Sequence, residues 1–548
     1  MFPSISIPKR FYRKLTKNYR TVRELKKNQS EIFTDSNPLS IIDEQVHMPK
    51  EGSKIVEFLE HKSIFITGGT GFVGKLLIEK LLRSCKNVEK IYLLIRNKKN
   101  LGAAARVEKI LDDVVFSELC KVQPNFRDKI VTVVGDAGLQ NLGISKKDLE
   151  ILENEVDIIF HAAATVNFLE KLDVSARINV GGTLEILKLA KRCKHLSSIV
   201  YVSTAYSNCH LTEVEEKFYD PPLTAEELFD LIDKYGEKLD ENEKLIIGKW
   251  PNNYCFTKAI AEHSIQIGAK ELPICIVRPA IITATYKEPL KSWIDNYYGA
   301  IGAVANIYNG LIKTFHCNPE VLGDVVPADL VVNGIIAAAY GNYSKRNENL
   351  NIYNFTSSHE NPLTFRDWCE LSIFYGYNFP TIHSVWFPNS ILTNNAYVHL
   401  FYTFFLHIIP AFITDLYLVV TGRSPRAISI YKKIYKFNEN VSFFATRDWI
   451  FSNSKARKLW RDLSPIDQKI FNFNFAPKYL NWNEYLSTLC AGLRVYLFKD
   501  NWESIEESRK KLKRLYYCHV CIKSIFDLIL ILTGYGTLRF IFEFCSKK

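Results

Sequence analysis

The sequence predicts an α/β protein: a doubly wound parallel sheet over residues 61–352, then a mostly helical region over 353–500. Three observations carry that prediction. Short β-branched runs alternate with amphipathic helical stretches from Ser63 onward. Glycines 68, 71 and 74 stand between the first such run and the first helix. After about Tyr353 the texture changes to aromatic-rich segments with helical periodicity.

The elements follow in order. Residues 1–60 are polar and basic and read as a loosely ordered lead-in. Then come "SIFITGG", the helical "GKLLIEKLLRSC", "KIYLLIR", "IVTVVGD", "VDIIFHAA", the helical "TLEILKLAKRC", "SSIVYVST" and "ICIVRPA". Residues 501–548 combine a basic run, "SRKKLKRLYY", with an apolar end and read as a membrane-associating tail. At 548 residues the chain is too long for one ordinary domain, and its 47% hydrophobic content supplies a large core.

A formal charge of +11 suits polyanionic small molecules, nucleic acid or an anionic membrane, and does not choose among them. Nucleic acid fits worst, because the C-terminal basic run borders an apolar segment and no recognised nucleic-acid module is present. Twelve scattered cysteines, with Cys518 and Cys521 the one CxxC pair, fit reduced thiols in a cytosol-facing protein and no metal site. The N-terminus lacks a secretory h-region, so no secretory signal is expected. Two stretches look membrane-related. Residues 397–422 are long enough to span but are interrupted by His407, Pro410 and Asp415. The uncharged stretch between Asp527 and Arg539 is shorter than the roughly 20 residues that a spanning helix needs. Buried core helices are the competing reading of both.

The segment Thr67, Gly68, Gly69, Thr70, Gly71, Phe72, Val73, Gly74 is the candidate phosphate cradle. Gly68 permits a tight turn, Gly71 lets backbone approach a pyrophosphate, and Gly74 allows close helix packing. The second strand ends in Arg96, with Lys98 and Lys99 beyond, where an NAD-specific site would present an acid; cations there suit the 2′-phosphate of NADPH. A solvated basic loop is the bland alternative. Asp136 follows the third strand, suited to the adenine edge. Ala162, in the small-residue run after His161, lets backbone approach the cofactor's ribose and nicotinamide.

"WPNNYCFTKAIAE" places Tyr254 and Lys258 at i and i+4, on one helix face. A lysine ammonium, with the positive charge of an oxidised nicotinamide, lowers a phenol's pKa from about 10. A strand-end hydroxyl from Thr204 or Ser203 would hydrogen-bond the substrate oxygen. Together these supply oxyanion stabilisation and a proton for an alkoxide.

The glycine pattern, "HAAA", "VST" and Tyr254/Lys258 resemble the extended short-chain dehydrogenase/reductase superfamily, whose nucleotide domain is of Rossmann type. "HAAATVNF", "WPNNYCFTKAIAE", "GDVVPADLVVNGIIAAAY", "HIIPAFITDL" and "FNFNFAPKYLNWNEYL" narrow the resemblance to the fatty acyl-CoA reductase family, over about Lys62 to Asp500. The resemblance implies a helical C-terminal domain and two NADPH-dependent reductions of long-chain acyl-CoA to the primary alcohol through a hemithioacetal and an aldehyde. It implies Thr204, Tyr254 and Lys258 as catalytic, with Lys258 also touching the cofactor. It further implies membrane lipid as a partner and leaves a homo-oligomer open. The expected location is a membrane with the catalytic domain facing the cytosol, the endoplasmic reticulum first and the peroxisome second. A nucleotide-sugar or sterol dehydrogenase would share the cradle and the Tyr/Lys pair but not the second-domain motifs. A non-catalytic NADPH-binding membrane protein would have no use for the Thr/Tyr/Lys set.

Overall fold

A computed structural model describes residue 39 and residues 52–97, 101–344 and 350–546. The six apolar runs become β1 (Ser63–Thr67), β2 (Lys90–Ile95), β3 (Ile130–Val134), β4 (Ile158–His161), β5 (Ser198–Val202) and β6 (Ile274–Pro279). A seventh strand, β7 (Asn351–Phe355), was not among them and straddles the boundary expected at 352. All neighbours pair in parallel, in the order β7-β6-β5-β4-β1-β2-β3. Strands β1, β4, β5 and β6 are buried throughout. A parallel sheet covered on both faces has no solvent side, so its central strands read as unbroken apolar runs.

The chain winds outward from β1 through β2 to β3, then returns to β4 and winds the other way. The strand order therefore reverses between β1 and β4, where a crevice opens at the carboxyl ends of the strands. Helices α1 (Phe72–Ser84) and α3 (Asn253–Gly268) border it, backed by α2 (Gly182–Arg192) and α4 (Ala328–Ser344). Helix α3 packs on α2, and α4 packs on α1 and β5.

The helical region contributes α5 (Phe365–Gly376), α6 (Ala396–Val420), α7 (Ala427–Ala445), α8 (Trp482–Gly492) and α9 (Ile505–Ser546). Helices α5 and α8 pack together, and Tyr485 of α8 donates to the Ala284 carbonyl at 2.9 Å, joining this region to the segment after β6. The tail expected at 501–548 is largely α9, a helix about 60 Å long at 1.5 Å per residue. The buried Arg494 guanidinium donates to Asp500 at 3.1 Å and to Ser508, in the first turn of α9, at 3.3 Å. Most of the basic lead-in lies outside the described residues. Its end is not loose: Ser53 caps a helix over Lys54–Leu59 and donates to Asp467 at 2.6 Å.

Candidate active site

One cavity of about 1160 Å³ runs from the carboxyl ends of the strands to the helical region. That exceeds the about 300–1,000 Å³ of a single small-ligand pocket and leaves room for cofactor and substrate together.

At one end lies the glycine turn. Gly68 has φ +79, and a Cβ there would stand 2.7 Å from the Ala162 carbonyl. A Cβ on Gly74 would stand 2.2 Å from the Gly68 oxygen. Only glycine fits either place. Gly71 is the N-cap of α1 and offers no side-chain cap, so no side chain of the cap satisfies the first-turn N–H groups, whose residues line the cavity and make a ready anion site. This cradle fits the diphosphate of a nicotinamide dinucleotide. Of the segment expected to form it, Gly68, Thr70, Gly71, Phe72, Val73 and Gly74 line the cavity. Gly69 does not, and Thr67 is buried with its hydroxyl 2.7 Å from His161 Nδ1 while accepting from Ala163 N. Lys75, one turn on, bridges Asp113 at 2.8 Å and Asp295 at 3.0 Å beside the cradle.

Arg96 and Asp136 line the same end, 3.9 Å apart. Lys99 lies outside the described residues. Two further cations, Arg106 and Lys109, reach the cavity from the helix over Ala103–Leu111, and Arg106 donates to the Arg96 carbonyl. Sequence reasoning missed both. Their spacing on one face of a helix just after the β2 loop is the signal that could have found them.

The centre is built on α3. Asn252 caps it by accepting from Cys255 N at 3.0 Å, and Trp250 Nε1 donates to the Ser207 carbonyl at 2.7 Å. Asn253 donates to the Glu170 carbonyl at 2.9 Å. The "WPNN" turn thus sets where α3 begins and presents Tyr254 and Lys258 to the cavity, opposite Ser203 and Thr204 at the end of β5. The Tyr254 phenol lies beside the Thr204 hydroxyl, and its ring stacks on Phe168 at 5.9 Å. Burial holds that phenol well above its ordinary pKa, and the Thr204 hydroxyl opposes the shift. The lowering expected from Lys258 is not the dominant effect. Lys258 donates to the Val202 carbonyl at 2.7 Å and the Tyr201 hydroxyl at 3.3 Å, and burial pulls its ammonium down to about 7 against the pull of Glu262.

The two candidate hydroxyls have different neighbours. Ser203 donates to Glu262 at 2.5 Å, and Glu262 pairs with Arg278 through contacts of 2.6 and 2.9 Å, all three buried. Ser203 is committed to that network, whereas Thr204 meets Tyr254. The Glu262–Arg278 pair was also missed. A charged residue inside the apolar strand "ICIVRPA" required a buried partner, and Glu262 stands one turn beyond Lys258. His161 is likewise engaged, between Thr67 and Thr183 of α2, with burial and Lys258 pushing it down to about 3.

The far wall is apolar: Phe315, Phe365 and Trp368 of α5, and Val441 and Phe444 of α7. Phe168 joins this wall to the centre, with its ring 5.7 Å from Phe444.

Two family models, each described as male sterility protein, match residues 66–335 and 406–500, the first of them an NAD-binding model. The chain is 37% identical to fatty acyl-CoA reductase wat of Drosophila melanogaster, over 89% of this chain and 94% of that one. It is 35% identical to fatty acyl-CoA reductase 1 of Homo sapiens, over 84% and 89%. Among solved structures, the reductase domain of a nonribosomal peptide synthetase from Mycobacterium tuberculosis superposes with a TM-score of 0.52 at 17% identity. That superposition covers 84% of this chain and 96% of the reductase domain, and it shows a shared fold.

Proposed function

Because this chain belongs to the fatty acyl-CoA reductase family and is an oxidoreductase that works with a nicotinamide cofactor, we propose that it reduces long-chain fatty acyl-CoA to the primary alcohol, consuming two NADPH and releasing CoA. The observation that carries the reading is the continuity of the cavity. A phosphate cradle, a Thr/Tyr pair and an apolar wall stand in one space, in that order.

The turn of Gly68, Gly71 and Gly74 would hold NADPH, which would supply the hydride for both the thioester and the aldehyde reductions. Tyr254 and Thr204 hold the carbonyl oxygen by hydrogen bonds as it gains charge. The resulting hemithioacetal collapses, expelling CoA thiol and leaving the aldehyde; no cysteine nucleophile is needed. In the second reduction Tyr254 gives its proton to the alkoxide. A phenol held well above its ordinary pKa carries that proton at neutral pH, as a donor must. Lys258 orients the end of β5 through Val202 and lines the cavity, where it would meet the nicotinamide ribose. NADPH is favoured over NADH by Arg96 and Arg106, with no acid at the end of β2.

The halves divide the labour. Residues 61–352 hold the cofactor and the reacting carbon, and 353–500 enclose the acyl chain. The basic lead-in and the tail at 501–548 accompany a protein held at a membrane with its site open to the cytosol, the endoplasmic reticulum before the peroxisome. The test supplies palmitoyl-CoA with NADPH or NADH and follows thiol release and nicotinamide oxidation together. Two NADPH per CoA, with alcohol as product, is expected. One per CoA with aldehyde accumulating would stop the reaction half-way, and no thiol release would contradict the reading.

A further inference from the structure

Helix α6 is built inside out. His399, Thr403, His407, Ala411 and Asp415 recur every fourth residue and are all buried. In an ideal α-helix a four-residue repeat drifts about 40° per step. Here a wide π-type turn over Phe404–Ile408, just before Pro410, brings the stripe back into line. Each polar member has a partner. His399 lies 3.1 Å from Thr314 Oγ1 and 2.8 Å from Asn438 Nδ2. His407 Nε2 accepts from Lys313 N at 2.8 Å. Asp415 accepts from the backbone N–H groups of Arg426, Ala427 and Ile428 at 2.7, 2.7 and 3.0 Å, capping α7. The opposite face holds Leu400, Phe404, Phe412, Ile413, Leu416 and Val420; Phe412 and Ile413 are each 60% exposed and Val420 77%. Asp415 is the only charged side chain from 396 to 420, and it points inward.

We infer that the outer face of α6 docks into one leaflet of a phospholipid membrane bearing anionic headgroups, with the helix lying in the plane of that leaflet. This rests on the reading above that the protein works at a membrane. Three observations select this occupant and this pose. From Leu416 to Asn438 the chain carries Arg423, Arg426, Lys432, Lys433 and Lys436, all exposed, and no acidic residue, so a cationic rim borders the apolar face. Exposed Tyr397 and Tyr417 stand near the two ends of the helix, where amphipathic rings meet a lipid interface. The inner stripe is packed on protein along its length, and the neighbouring α7 exposes three lysines. Crossing the bilayer would carry those charges into hydrocarbon, whereas lying flat leaves them among headgroups.

The docking has a consequence for the substrate. Asn438 near the end of α7 meets His399 near the start of α6, so the two helices run antiparallel. Helix α7 then ends in Val441, Phe444 and Ala445, which line the cavity's apolar wall. The leaflet therefore lies one helix away from the acyl end of the site.

The experiment sediments the purified full-length chain with phosphatidylcholine vesicles, with and without phosphatidylserine, and compares Phe412→Glu/Leu416→Glu. The unaltered chain is expected to bind the serine-containing vesicles more tightly, and the double variant to lose about tenfold or more of that affinity while still turning over octanoyl-CoA in solution. Equal vesicle binding by the double variant would overturn the inference and leave α9 as the contact. A lipid-free dimer that the double variant dissolves, at unchanged vesicle affinity, would assign the face to a second copy and also overturn it. No vesicle binding by the unaltered chain would instead remove the membrane reading itself. A photoactivatable phospholipid needs no substitution: it is expected to label peptides within 396–420, and labelling confined elsewhere would overturn the docking.

Discussion

Helices α3 and α6 carry the same device in opposite surroundings. Each presents polar side chains every fourth residue to the protein interior: Tyr254, Lys258 and Glu262 on α3, and His399, Thr403, His407 and Asp415 on α6. The remaining residues of α3 are mostly buried too, packed between α2 and the end of β5. On α6 the remaining residues are mostly apolar and exposed. The contrast shows that a polar stripe does not declare its own purpose. Where protein covers the rest of the helix, the stripe can border a reaction cavity. Where it does not, the stripe fastens the helix down and turns its apolar side outward.

The comparison can be broken from either helix. The largest effect on stability is expected from Glu262→Gln, which leaves Arg278 buried without its counter-charge. About 3–5 kcal/mol of stability is expected to go, read by urea unfolding, with turnover falling in step as β5 and α3 lose their common anchor. A loss below about 1 kcal/mol would mean that the pair behaves as an exposed one.

A milder change acts mainly on α6. Burial pushes His399 and His407 down to about 4, helped by His316 at the first and by His399 and Lys313 at the second. Their folded values lie below the ordinary 6.5, so the unfolded chain takes up protons first as pH falls. The stability contributed by these two rings is therefore complete above about 6.5 and drains away towards pH 4. His161, pushed to about 3, extends the loss below that. Asp324 and Asp329, which burial raises to about 6, work the other way over the same window, so the test is the difference between chains. The urea midpoint is expected to fall more steeply with falling pH in the unaltered chain than in His407→Leu, and equal slopes would contradict the burial of that ring.

The smallest effect is expected from Asp415→Ala. It removes the cap of α7 and should lower Tm by about 2 °C, with octanoyl-CoA turnover unchanged and vesicle binding weakened slightly.

Much of the first helix's setting was legible in the sequence. Gly68 and Gly74 were readable because a turn and a close packing each exclude a side chain. Tyr254 and Lys258 were readable from their spacing and from the order of motifs before them. Partners distant in sequence were not. Ser203, Glu262 and Arg278 meet only when β5, α3 and β6 are side by side, and Arg106 reaches Arg96 only when its helix folds back over β2. Strand β7 was missed because "NIYNF" carries two polar asparagines; the Asn354 amide nitrogen donates to the Ser452 carbonyl at 2.7 Å and its backbone N–H to Glu216 at 3.0 Å. In α6 the residues that read as interruptions of a spanning segment, His407 and Asp415, are the ones that fasten it. Seen along the line they break an apolar run; wrapped on a helix they fall on one face.

The central claim is that the phenol of Tyr254 works on the acyl carbonyl in the cavity beside the cradle. The most direct measurement compares NADPH-dependent thiol release from palmitoyl-CoA by the full-length chain and by Tyr254→Phe, with NADPH affinity determined on both. The predicted result is a fall in kcat of about 10²–10³-fold, the size expected on losing one oxyanion donor, with NADPH affinity unchanged. Thiol release by Tyr254→Phe within about tenfold of the unaltered chain, below the contribution expected of such a donor, would contradict the account.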